Sequence, residues 1–176
     1  MNNDYNKSFF LAFNEKTFPT STAQEKQYNK HGAVYLTENA RKSKQIITEA
    51  IYYVIKTKRW TIEDSIQKDI PVLLKTEWYF PIPKSRKGKG KEKIKEEENR
   101  KEDTKNVMIY DGQWKVSKPD TDNLVKGLKD IMTDSAVFWH DDAQVCAEII
   151  TKRYADVPGI YITVCPVDNA HDFYNF

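Results

Sequence analysis

The stretch Lys118–Val145, with the sequence KPDTDNLVKGLKDIMTDSAVFWHDDAQV, predicts one amphipathic helix between two acidic segments. Apolar residues recur in it at spacings of three and four, which is the period of a helix that buries one face. We expect Asp122 to be the N-cap of this helix and Thr133–Ser135 to be its end. The residues of its buried side are Leu124, Val125, Leu128, Ile131 and Met132.

Short apolar segments on both sides of this helix predict the strands of a sheet. Val145–Tyr154 and Gly159–Val164 follow it and are joined by a turn at Ala155–Pro158. Pro71–Phe80 precedes it and has apolar residues on both sides of its alternation, which is typical of a strand in a largely buried sheet. Phe9–Phe13 is a candidate for the first strand.

A second helix is expected in the N-terminal half. Thr37 is a candidate N-cap, and apolar residues recur with helical spacing over Glu38–Lys58. Val107–Trp114 is predicted to contain a strand or hairpin edge with a turn at Asp111–Gly112. Together these elements predict an α+β fold, in which a mixed sheet of four or five strands packs with two main helices.

The length of 176 residues is that of one domain, and the charge is unevenly distributed along it. We expect a single folded domain over residues 1–167, a charged flexible insertion at about 84–106 and a C-terminal tail at 168–176. The segment Lys84–Lys105 has ten basic and six acidic residues and therefore a net charge of +4, against +2 for the whole chain. It has too few aliphatic residues for burial to offset the entropy lost on ordering. It is either a solvated loop or an arm that binds phosphates.

Hydropathy and cysteine content favour a protein of a reducing compartment. No apolar run approaches the roughly 18 residues that cross a membrane, and Met1–Ser8 lacks the apolar core of a signal peptide. The two cysteines, Cys146 and Cys165, lie in apolar runs and are interpreted as buried free thiols. We therefore expect a cytoplasmic location and no membrane partner.

The acidic segments on either side of the predicted helix are the candidate site for chemistry. Asp120 and Asp122 are one residue apart, so in an extended stretch they point to the same side. A turn after the helix could bring Asp141 and Asp142 to them, which would place three or four carboxylates together. Such carboxylates repel each other unless a cation lies between them, and oxygen ligands favour a hard ion such as Mg²⁺ or Mn²⁺. That chemistry suits phosphoryl transfer, whereas plain helix caps and turns are the alternative interpretation.

Three further polar residues lie beside these acids. Lys126 follows Asp122 by four residues, so it could stabilise charge on a phosphate or form only an exposed ion pair with Asp122. Asn123 could orient a water molecule at a metal or simply bind the backbone at the helix start. His140 is not expected to be a metal ligand, because the site already has enough oxygens.

The two acidic segments and their order resemble the RusA family of Holliday-junction resolvases. Upstream, Phe80-Pro81-Ile82-Pro83-Lys84-Ser85 resembles the strand end that precedes a variable charged loop in this family. The similarity covers about Leu73–Val164, and the combined motif is more specific than either half. The matching residues are Lys118-Pro119-Asp120-Thr121-Asp122-Asn123-Leu124, Lys126, Asp141-Asp142-Ala143-Gln144-Val145 and Lys152.

The resemblance implies a small homodimer, often encoded by a phage or prophage, that cuts four-way DNA junctions by paired, symmetric nicks with Mg²⁺ or Mn²⁺. It implies catalytic, metal-binding carboxylates at Asp120, Asp122 and Asp142 and a catalytic lysine at Lys126. Asp141 matches the neighbouring acid and is a further candidate metal ligand.

Binding of branched DNA is expected to use basic residues of the matching segments and of the charged segment. These residues are Lys84, Arg86, Lys87, Lys89, Lys91, Lys118 and Lys152. Two other functions stay open at this point. A flap nuclease or other branched-DNA nuclease would use the same carboxylates, and a non-catalytic DNA-binding protein would use them as caps or for a structural metal.

Overall fold

The computed structural model of the protein describes residues 5–20, 26–28, 31, 34–83 and 109–168. Two helices and seven strands lie in this part of the chain. In chain order they are β1 (Lys7–Ala12), β2 (Lys26–Tyr28), β3 (Val34–Leu36), α1 (Glu38–Lys58), β4 (Val72–Pro81), β5 (Ile109–Trp114), α2 (Thr121–Ser135), β6 (Val145–Ala155) and β7 (Gly159–Pro166).

Five of the strands form one mixed sheet in the order β1-β7-β4-β6-β5, and β2 and β3 form a separate antiparallel pair. The central strand β4 pairs with β6 in parallel and with β7 antiparallel. Although β6 and β7 follow each other in the chain, β4 lies between them. The predicted α+β fold, with a mixed sheet and two main helices, is confirmed.

Both helices share one hydrophobic core with a single face of the sheet. Ile47 and Ile51 of α1 pack there with the predicted buried side of α2 and with alternate residues of β1, β4 and β7. Phe138 and Trp139, which follow α2, are fully buried in the same core. Because the two helices also contact each other, α2 is held both by the sheet and by α1.

The predicted N-cap is correct for α1 and wrong for α2. Thr37 is the N-cap of α1, where its Oγ accepts a hydrogen bond from the Ala40 amide at 3.2 Å. The predicted N-cap of α2, Asp122, is wrong, because the helix begins at Thr121 and Asp120 holds the N-cap position. Asp122 instead lies in the first turn, where a carboxylate is favoured by the positive end of the helix dipole.

Two local expectations are also corrected. Residues 109–114 form one strand with a register shift against β6, rather than a hairpin that turns at Asp111–Gly112. Cys165 is buried as predicted, but Cys146 is exposed, and neither cysteine forms a disulfide. The register between β4 and β6 passes from Val145 directly to Ala147, so Cys146 is the extra residue of a bulge and does not enter the core.

The charged segment predicted at about 84–106 lies outside the described residues, as does the tail beyond residue 168. The division of the chain into domain, insertion and tail therefore stays a prediction. Neither helix of the described part has the length and apolar character that a membrane-spanning helix needs.

Candidate functional site

A cleft of about 720 Å³ opens at the N-terminal end of α2. Its walls come from the end of β4, from the loop 115–120 between β5 and α2, from the first turn of α2 and from Tyr154 of β6. The loop contributes both basic and acidic side chains, which are Lys115, Lys118 and Asp120. The first of the two predicted acidic segments therefore borders a cavity and not a flat surface.

Lys152 of β6 anchors the loop that leads to this acidic segment. Its ammonium donates hydrogen bonds to the carbonyl oxygen of Ser117 at 2.9 Å and to that of Pro119 at 2.6 Å. Its own carbonyl accepts from the Lys115 amide at 3.1 Å. Two of the three ammonium donors thus bind the protein itself, and the predicted contact of Lys152 with DNA stays a prediction.

Lys115 is a cation of the cleft that sequence reasoning did not single out. Its Nζ lies 4.9 Å from the ring centre of Phe80 and 5.7 Å from that of Tyr154, and it donates to the Ser117 hydroxyl at 2.7 Å. Burial lowers the pKa of Lys115, the nearby Tyr154 raises it, and the positive charge of Lys152 lowers it further. Only the position of Lys115 shortly before the acidic segment could have indicated this role.

Asp120 and Asp122 differ in their surroundings, although both side chains are exposed. Asp120 borders the cleft and makes no side-chain capping hydrogen bond, even though it holds the N-cap position. Its carboxylate is therefore available to a ligand. The extended geometry that predicted a common direction for the two acids applies to Asp120 alone, because Asp122 is already helical.

The second acidic segment forms a short 3₁₀ turn at Asp142–Gln144. Both acids are exposed, but Asp141 caps this turn by accepting a hydrogen bond from the Ala143 amide at 2.8 Å. The segment is held by Gln144, whose oxygen accepts from the His140 and Asp141 amides. Asp141 therefore has a local structural role, and Asp142 is the acid of the pair that is more available to a ligand.

Gln144 also ties the second acidic segment to the rest of the fold. Its amide nitrogen donates to the carbonyl oxygens of Gln67 at 2.9 Å and Ile70 at 3.2 Å. Sequence reasoning missed this role, although the spacing Asp141-x-x-Gln144 is the signature of a capping box.

At the N-terminal end of α2, the groups that could bind a metal ion are oxygens. The 3₁₀ turn of Asp142 contacts α2, but it precedes Val145, which pairs with Val72 at the start of β4, whereas the cleft lies at the other end of the same two strands. The structure therefore does not bring Asp142 to Asp120 and Asp122 within one chain. Across the described ranges, no three His, Cys, Asp or Glu side chains form a group that could hold a metal. Asn123 borders the cleft, and its Oδ1 is buried and accepts no hydrogen bond, which leaves an oxygen suited to a cation or a donor.

This donor set fits a magnesium-like ion better than a transition metal. Mg²⁺ is typically bound by one or two carboxylates and fills its other positions with water and substrate phosphate. It therefore does not require a preformed group of three protein acids. The donors at this end of α2 are all oxygens, from the carboxylates of Asp120 and Asp122 and the Asn123 amide.

The remaining predicted residues lie at the edges of the site or beyond the described ranges. Lys118 borders the cleft and is exposed, and Lys126 is exposed on α2. In the part of the chain that the structure describes, no ion pair joins Lys126 to Asp122. The predicted DNA-binding residues outside the described ranges are Lys84, Arg86, Lys87, Lys89 and Lys91.

Comparison with known proteins gives one family match and one similar curated protein. Residues 17–165 match the family model described as Endodeoxyribonuclease RusA, a range that includes the cleft, α2 and both acidic segments. A protein described as uncharacterized protein YqaN, from Bacillus subtilis (strain 168), is 31% identical over 94 residues. The similar region is 53% of this chain and 56% of that protein, so it spans only about half the length of the relative.

Proposed function

The chain belongs to the RusA family of endodeoxyribonucleases, and from this premise we propose that it resolves Holliday junctions by hydrolysing phosphodiester bonds with Mg²⁺ or Mn²⁺. We further propose that it acts as a homodimer, which makes paired, symmetric nicks. A four-way junction has two-fold symmetry, and a dimer with the same symmetry offers one site to each of the two strands that are cut.

The observation that carries this proposal is the composition of the cleft at the start of α2. The cavity is bordered by Asp120, whose carboxylate makes no capping hydrogen bond, and by Asn123, whose buried Oδ1 accepts no hydrogen bond. Lys115 and Lys118 border the same cavity. Oxygen donors suit a hard cation, and the lysines suit the phosphates of a DNA strand. A purely structural role would leave the unsatisfied buried oxygen of Asn123 without an explanation.

In this mechanism the residues of the chain divide into ligands, a charge stabiliser and anchors. Asp120 and Asp122 would hold the metal, which when bound neutralises the phosphate, activates water and stabilises the leaving oxygen. A role of Asp142 at the same metal stays a prediction, because within one chain it lies at the opposite end of β6. Lys126 stabilises the negative charge that develops on the phosphate. The N-terminus of α2 adds the positive end of a helix dipole, which favours an anion at the same place.

The anchors hold each acidic segment in a fixed position relative to the sheet. Lys152 holds the loop before Asp120 through two carbonyl oxygens, and Gln144 holds the turn of Asp142 through two more. Neither anchor needs to touch DNA. Their contribution is positional, because even a small displacement of a catalytic group lowers the rate strongly.

The test compares purified protein on a labelled four-way junction, a flap substrate and a matched linear duplex, with and without Mg²⁺. We expect nicks in the junction that require the metal, and little cutting of the duplex. Binding of the junction without any nicking would identify a non-catalytic DNA-binding protein. Cleavage of a flap substrate in preference to the junction would identify a different branched-DNA nuclease.

A further inference from the structure

Lys115 is a cation of the cleft that has no anionic partner among the described residues. Its ammonium lies over the faces of Phe80 and Tyr154, and within the described ranges its hydrogen bond goes to the neutral hydroxyl of Ser117. Among the described residues, no carboxylate lies within ion-pairing distance of it. Other partly exposed lysines do have such partners, since Lys75 pairs with Glu77 and Lys129 pairs with Glu148.

The surroundings of Lys115 increase its need for an anion. The ammonium of Lys152 is bound to the same loop, and Lys118 borders the same cleft. Partial burial of Lys115 removes water that would otherwise solvate its charge, and the pKa of this lysine is lowered for that reason. The aromatic faces offset only part of the lost solvation of the ammonium, because a cation–π contact is weaker than an ion pair with a desolvated anion.

A phosphodiester is the anion that matches these groups. It offers two unesterified oxygens, so one can accept from the Lys115 ammonium and the other from the Ser117 hydroxyl, which lie 2.7 Å apart. It also carries a single negative charge, which one ammonium can balance. A carboxylate ligand would carry the same charge, but the proposed substrate presents phosphates along its whole backbone.

We propose that Lys115 and Ser117 form a binding site for a DNA backbone phosphate that is not itself cut. This inference rests on the proposed function and adds a substrate contact to it. The cut phosphate belongs with the carboxylates and the metal, whereas the site at Lys115 and Ser117 needs no metal. It therefore fixes the strand beside the reacting phosphate and contributes to binding more than to the chemical step.

The test is junction binding at several salt concentrations, without divalent metal, for Lys115→Gln and the wild-type protein. We expect about tenfold weaker binding, the scale of one lost hydrogen bond to a charged group. The slope of log K against log salt should fall by about 0.9, the value for one phosphate contact. Lys115→Arg should retain the slope, and Lys56→Gln, an exposed charge removed from α1, is the control.

A second variant keeps the test informative if Lys115→Gln does not fold. Ser117→Ala removes only a hydroxyl and should weaken binding severalfold with an unchanged salt slope. Binding by Lys115→Gln or Ser117→Ala that equals that of the Lys56→Gln control would overturn the inference. Metal-dependent nicking by the wild-type protein is measured separately, so loss of the phosphate site and failure of the proposed nuclease activity give different results.

Discussion

The ammonium of Lys152 lies 2.6 Å from the carbonyl oxygen of Pro119, the residue immediately before Asp120. This contact joins the sheet to the acidic segment that borders the cleft, across a separation of 33 positions in the chain. A second bond, to the Ser117 carbonyl, fixes the same loop from the same ammonium. The position of the Asp120 carboxylate therefore depends on a lysine that does not need to contact the substrate.

Replacing Lys152 by Met should destabilise the loop and slow cleavage. Both carbonyl oxygens lose a charged donor, and we expect the free energy of unfolding to fall by about 1 to 2 kcal/mol. Urea denaturation measures this change, with Lys56→Met as a control for the loss of one exposed lysine. Unchanged stability together with a lower salt dependence of DNA binding would show that Lys152 is mainly a DNA contact.

The acids should be required for cleavage and not for binding. Changing Asp120, Asp122 or Asp142 to Asn should abolish nicking while junction binding stays intact or becomes tighter, because a negative charge near phosphate is removed. Asp120→Asn should also leave stability unchanged, since Asp120 makes no side-chain capping bond. Asp134→Asn, at an exposed position near the other end of α2, is the matched control. Wild-type cleavage by Asp122→Asn would remove that residue from the site.

Lys126 should act on the chemical step. Lys126→Ala should lose roughly 2 to 4 kcal/mol of transition-state stabilisation, the scale for one lost electrostatic donor. Lys42 is the equivalent control on α1, because it follows Glu38 by four residues and pairs with it at 2.6 Å. Single-turnover cleavage rates compare Lys126→Ala and Lys42→Ala directly. Equal rates would assign Lys126 to the solvated surface.

Gln144 should be needed to hold the second acidic segment. Gln144→Ala removes four hydrogen bonds, and two carbonyl oxygens of the 67–70 turn lose their donor. We expect the free energy of unfolding to fall by about 1 to 3 kcal/mol and cleavage to slow. Gln45→Ala is the control, because it removes an exposed glutamine whose amide donates a hydrogen bond to Glu49 one helical turn away. Equal denaturation midpoints for the two variants would contradict this role.

Helix and strand periodicity predicted the architecture, and long-range contacts account for what it missed. The buried side of α2 and the bounds of α1 follow from spacing within single elements. The start of α2 was misplaced by two residues, because Asp120 and Asp122 are equally good cap residues and only the folded backbone distinguishes them. The exposure of Cys146 depends on the register of β6 against β4, which no local pattern contains.

The candidate site shows the same division between local and long-range information. The acids were recognisable from their spacing, but the anchors and the cation of the cleft were not. Lys152 bonds to residues 33 and 35 positions away, and Gln144 bonds to residues 74 and 77 positions away. Such partners can be identified only from the folded structure, because the local sequence around each residue does not contain them.

The most direct test of the central claim is a strand-mapping assay of junction cleavage by the wild-type protein and Asp120→Asn. Each strand of a four-way junction is labelled in turn, and the cut positions are determined with and without Mg²⁺. We expect paired nicks at symmetric positions on two opposing strands, only with the metal and only with the wild-type protein. Cuts on a single strand, or equal cutting by Asp120→Asn, would contradict the proposal that this cleft resolves Holliday junctions.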